Sequence, residues 1–128
     1  MSAVPGFPLA DERESVTRKI TIHGAHSSLV LYATVSFYPN DEPAEIFIKA
    51  AKKGSTLGGF ASAGARMVSV SLHRGVSWSD VVEKFRGMGF EPSGETHSEL
   101  GRVGSPLDAV IRFVEKVKYE RGQKKRNL

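Results

Sequence analysis

The chain has no cysteine in its 128 residues. That absence removes disulfides, thiolate metal sites, thiol nucleophiles and thiyl radicals together. It fits a reducing compartment. Long apolar runs are missing as well. No stretch approaches the ~18 residues of a membrane span. The opening MSAVPGFPLADERES has neither the basic nor the apolar segment of a secretory leader. These absences set the expectation of a soluble, cytoplasmic protein with no membrane partner. The four histidines, His23, His26, His73 and His97, show no metal-ligand spacing, and His23 and His26 fall in a strand–turn context rather than on a helix. No nucleophile elbow is present. The expectation is therefore a non-enzyme without metal or cofactor.

Acid is absent from residues 121–128, where Arg121, Lys124, Lys125 and Arg126 carry much of the net charge of +4, so the rest of the chain is close to neutral. Such a basic tail could touch nucleic acid. It reads better as a solvated, frayed terminus, because no stacking aromatic accompanies the charges.

What is present has an order. The length suits one domain, able to bury roughly two-thirds of its unfolded surface without staples. Residues 1–15 hold two prolines and no periodicity and read as an extended arm. VTRKITIH alternates, with Val16, Arg18, Ile20 and Ile22 on one side, which predicts a strand over 16–23. LVLYATVSFYP predicts a second over 29–38, and AEIFIKAA a third over 44–51, with turns at GAHSS and NDEP. An antiparallel meander is the simplest arrangement.

The remaining sequence is helical. Over 56–74, Leu57, Phe60, Gly64, Met67, Ser71 and Leu72 recur at helical steps and predict the buried stripe. The opposite flank, Gly58, Ser62, Ala65 and Ser69, is small. It would admit a second helix, either within the fold or across the axis of a homo-oligomer. Gly75 is a natural stop. Ser77 with Asp80 forms a capping-box-like start for a helix over 77–86. Residues 87–104 read as a long glycine-rich loop, and Ser105-Pro106-Leu107-Asp108 opens a third helix that Gly122 ends near 121. The fold class is α+β, a three-stranded meander followed by three helices on one face. One domain spans 16–121, and 122–128 form a disordered basic tail.

Taken in order, RESVTRKITIHG, PAEIFIKAAKKGSTLGG, GVSWSDVVEKFRGMGFEPSG and SPLDAVIRFVEKV resemble the C-terminal region of adenosylcobalamin-dependent (class II) ribonucleotide reductases, called the TSCPD domain. The likeness runs from about Leu9 to Val117, and EIFIKAAKKGST and KFRGMGFEPSG are its most specific blocks. The resemblance implies that reductase chemistry lies in a barrel upstream and in a cysteine-rich tail, neither of which is in this sequence. No catalytic residue carries over. A reductase catalytic chain becomes a possible partner.

Two groups of residues suit a phosphate or nucleotide. KKGSTLGGF starts a helix, so Lys53, Gly54, Ser55, Thr56, Leu57, Gly58 and Gly59 would offer free N–H groups and charge to an anion. It is not a P-loop, because its lysines precede a lone glycine. A capped helix whose small residues allow tight packing is the plainer reading of the same run. In KFRGMGFEPSGET, Lys84 and Arg86, with Arg102 beyond, could pair with phosphate, Phe90 could stack on a base, and Glu91 could accept from ribose hydroxyls. Arg66 could add a further cation. Phe90 could instead anchor the loop in the core. The leading expectation is a binding protein for a nucleotide-type small molecule, able to sequester a signalling nucleotide as phage-encoded sponges do. The alternative is an accessory subunit of a cobalamin-dependent reductase. Nucleic-acid binding through the tail stands last.

Overall fold

The computed structural model describes residues 9–50 and 56–126, with the backbone alone for Leu57 and Arg126. β1 (Ser15–Gly24), β2 (Ser28–Phe37) and β3 (Pro43–Ala50) form the expected antiparallel meander. Ile20 lies opposite Leu31, and Val35 opposite Ile46. With Ile22 and Ala33 these residues make a buried inner face, as the alternation demanded. α1 (Thr56–His73) and α2 (Trp78–Phe85) follow. Gly75 closes α1 at φ 95°, with its N–H donating to Leu72 O at 3.1 Å and that of Val76 to Ser71 O at 3.0 Å. Ser77 caps α2, its hydroxyl accepting the Asp80 N–H at 3.2 Å. Trp78, beside that cap, is buried in the core.

The segment expected to be a long loop contains two short strands, β4 (Gly94–Glu95) and β5 (Arg102–Val103). They extend the sheet beyond β1, giving the order β3-β2-β1-β4-β5. Each is two residues long, too short for any periodicity to betray it. α3 (Pro106–Arg126) closes the fold. Its Ala109, Val110, Ile111, Phe113, Val114 and Val117 are buried and packed in one cluster with the inner sheet face.

Two expectations change. The helix expected to end at Gly122 continues to Arg126, through most of the segment expected to be a tail. Ion pairs hold this end. Arg121 lies 2.8 Å from Asp41 and 2.7 Å from Glu14, its guanidinium 4.3 Å over the Phe37 ring. Lys125 also pairs with Asp41. Two of the four tail cations are thus engaged within the chain.

The buried side of α1 also differs: Leu72 is buried as expected, but the small flank is buried with it. Phe60 and Met67 are 75% and 66% exposed, whereas Ala65 and Ser69 are buried. The small flank receives the free edge of β3 rather than another helix. The Ser69 hydroxyl accepts the Ile46 N–H at 2.9 Å, and its proton faces the carbonyls of Ile46 and Ala65 at 3.1 and 3.0 Å. An edge strand carries unpaired backbone groups that must be satisfied. Only small side chains let a helix come close enough to do so. Ser69→Ala should therefore destabilise the protein by about 1–3 kcal/mol, the cost of leaving buried backbone groups unpaired. Urea denaturation would show it as a lower midpoint at unchanged slope.

Candidate functional site

Three parts of the chain converge on Asp108, in the first turn of α3. Its carboxylate is fully buried. It accepts the Gly87 N–H at 2.7 Å, the Gly104 N–H at 2.9 Å and the Arg112 Nε–H at 3.0 Å. Burial alone would raise its pKa. The N–H groups of Gly104 and Gly87 and the Arg112 charge outweigh burial and hold it below the ordinary carboxylate value. Ser105 caps the helix, its hydroxyl accepting the Asp108 N–H at 3.0 Å. The loop after α2 is thereby tied to the start of α3. A further bond, Phe90 N–H to Gly104 O at 3.0 Å, fixes it against the end of β5.

A cleft of about 640 Å³ opens over this junction, lined by Gly89, Phe90, Glu91, Ser93, Arg102 and Arg112 among others. Gly87 sits at its base with φ +81°, a conformation that other L residues rarely adopt. Phe90 is 45% exposed, so it is a wall of the cleft and not a core anchor. The Arg102 side chain is 71% exposed and reaches Glu95 at 3.3 Å. Arg112 is held through Nε while its side chain stays 29% exposed. It also lines an adjoining depression with Arg86, Glu99, Glu115 and Lys116. There the hydrogen bond from Arg18, with Lys116 nearby, holds the Glu99 carboxyl at about 2.

The residues singled out in the sequence do not gather in one place. Lys53, Gly54 and Ser55 lie outside the described residues. Thr56, Leu57, Gly58 and Gly59 form the first turn of α1, and Arg66 is exposed further along it. α1 stands at the β3 edge, whereas the cleft opens beside β4 and β5, with β2 and β1 between them in the sheet. Lys84 is exposed at the last turn of α2. Arg86 turns to Glu115 at 2.6 Å. Of the residues expected to bind a ligand, Phe90 and Glu91 line the cleft, joined there by Arg102. Asp108 and Arg112 were missed as site residues. Their four-residue spacing, an acid followed by a base on one helical face, was the readable sign.

Among the described residues no cluster of three or more histidine, aspartate and glutamate side chains could hold a metal ion. No helix among them is long and apolar enough to cross a membrane.

The TSCPD domain family profile matches residues 5–118. A vitamin B12-dependent ribonucleotide reductase of Rhodopirellula baltica is 36% identical over 107 residues, covering 83% of this chain and 10% of that protein. One of Streptomyces clavuligerus is 42% identical over 101 residues, covering 78% of this chain and 10% of the reductase. One of Bradyrhizobium diazoefficiens is 31% identical over 106 residues, covering 81% and 8%. The chain thus spans about a tenth of the length of these relatives. No solved structure matches.

Proposed function

Since the chain belongs to the TSCPD domain family, we propose that it is a non-catalytic, reductase-related binding domain whose cleft beside Asp108 takes a nucleotide or nucleotide-derived phosphate ligand. One observation carries this reading. A half-exposed aromatic ring, two guanidinium groups and a carboxylate share one glycine-lined cleft. Phe90 offers a face to a base. Arg102 and Arg112 suit phosphate, for which a planar guanidinium gives paired hydrogen bonds. Glu91 suits ribose hydroxyls. Asp108 acts through others: it positions Arg112 and both glycine turns and is itself covered. A domain that binds without chemistry would sequester its ligand, and the sponge role rests on that analogy.

A thermal-shift screen with nucleoside triphosphates, cyclic dinucleotides and ADP-ribose derivatives tests the reading. Ligand at about a hundred times its Kd adds ~2.7 kcal/mol, a rise of several degrees in Tm for a domain of this size. Arg102→Ala and Phe90→Ala should each weaken a shifting ligand about tenfold, the loss of one charged hydrogen bond or one stacking contact. No shift with any compound, or a shift that both variants leave unchanged, overturns the proposal.

A second reading, docking on a reductase catalytic chain, is favoured by the exposed apolar residues Phe60, Met67 and Val70 of α1, which are 75%, 66% and 57% exposed. Co-elution with such a chain, lost on Phe60→Ser with Met67→Ser, would support it over the first.

A further inference from the structure

The sheet has a second face. The helices cover the inner one, and the outer one carries Thr17, Lys19 and Thr21 of β1, Val30, Tyr32 and Thr34 of β2, and Phe47 and Lys49 of β3. Register fixes their neighbours. Lys19 lies opposite Tyr32 and Tyr32 opposite Lys49, so one row across the sheet reads Lys–Tyr–Lys. The next row is Thr17–Thr34–Phe47, and the hydroxyls of its two threonines are hydrogen-bonded at 2.7 Å. Tyr32 and Phe47 are thus diagonal neighbours on adjacent strands, which places them about 7–8 Å apart. They are 41% and 50% exposed, and both lysines are exposed.

The charge of this face is one-sided. Neither Lys19 nor Lys49 forms an ion pair among the described residues. Two acids share the face at its ends, and both are neutralised. Glu45 pairs with Arg13 at 2.5 Å, and Glu95, opposite His23, pairs with Arg102 at 3.3 Å. Exposed rings between unpaired cations on a flat surface complement an anion with π-faces repeated along a chain.

We propose that this outer face binds single-stranded nucleic acid, with bases stacked on Tyr32 and Phe47 and phosphates drawn to Lys19 and Lys49. The site is separate from both the cleft and the basic C-terminus. Stacking requires bases free of a duplex, since paired bases hide their faces.

Fluorescence anisotropy with labelled ~12-nucleotide oligo-dT and oligo-U at about 50 mM salt tests it, with a duplex of equal length for comparison. The single strands should bind at least about tenfold more tightly than the duplex. Binding of either the dT or the U strand supports the site. Tyr32→Thr and Phe47→Thr, which retain strand propensity, should each weaken binding about 5- to 100-fold with Tm unchanged. Lys19→Gln and Lys49→Gln should each reduce the slope of log K against log salt by about 0.7. Lys124→Gln with Lys125→Gln should leave affinity within about threefold, since the C-terminal end of α3 does not belong to this face. No binding at low salt, equal binding of the duplex, or full binding by both aromatic variants would overturn the proposal.

Discussion

Asp108→Ala should lower stability by about 3–5 kcal/mol, the range for removing one partner of a buried, hydrogen-bonded charge. The loss has identifiable parts. The N–H groups of Gly87 and Gly104 lose their acceptor inside the fold, at about 1–3 kcal/mol each where water cannot replace it. Arg112 loses its partner too, but it is 29% exposed and can rehydrate, which places the total toward the lower end. Asp108→Asn keeps an acceptor oxygen and removes the charge, so a smaller loss of about 1–3 kcal/mol is expected. Urea denaturation of the three proteins would rank them. Equal midpoints for Asp108→Ala and the parent would show that this carboxylate does not hold the junction.

The same residue sets a pH dependence. Its folded pKa lies below the ordinary value because its hydrogen bonds and Arg112 favour the ionised form despite burial. The unfolded chain then binds the proton more readily than the folded one, so stability rises with pH across this window. The contribution is fully present above the unfolded value of about 3.9 and is lost as pH falls through the folded pKa. The stability difference between parent and Asp108→Asn should therefore shrink on acidification below about pH 4 and stay flat from about pH 5 to 8. A difference that grew on acidification would reverse the sign and overturn this account.

What was legible in the sequence follows from the range of each interaction. The meander was readable because Val16 to Ile22 and Leu29 to Val35 alternate over whole strands. Gly75 and Ser77 were readable because caps and stops are local chemistry. α1 was found, but its buried side was assigned by hydrophobicity. Closeness decided instead: a strand edge with backbone groups to satisfy selects Ala65 and Ser69 over Phe60 and Met67. The cleft was half legible. Phe90 and Glu91 stand in one short run, whereas the acceptor that shapes the cleft is Asp108, and two of its three donors are backbone N–H groups with no sequence signature. The Lys19–Tyr32–Lys49 row was likewise unreadable, because its members come together only once strand register is known.

Gly94→Ala should detach β4 and β5 from the sheet. Gly94 has φ +154°, which L side chains rarely adopt. A Cβ there would lie 2.0 Å from the His23 carbonyl oxygen, 2.9 Å from its carbon and 3.4 Å from Gly24 Cα. Every one of these atoms is backbone of the paired strand, so no side chain can swing aside. The relief available is to separate β4 from β1. Overpacking costs about 1–3 kcal/mol, and a forced backbone conformation a further ~1–3 kcal/mol. Val103, 1% exposed on β5, would lose its cover, and Arg102 would leave the cleft wall. Gly59→Ala is the matched control. Among the described residues nothing lies within 4 Å of the added Cβ, and the position is helical, so it should be neutral or stabilising by up to ~1 kcal/mol. Hydrogen exchange separates local from global effects. In Gly94→Ala the amides of residues 94–103 and of the β1 edge should exchange faster, while those between β2 and β3 keep their protection. Loss of the nucleotide-dependent thermal shift together with this local opening would place the ligand at the β4–β5 side of the domain. A shift that survives the opening would move it away from the cleft, whatever the variant's stability.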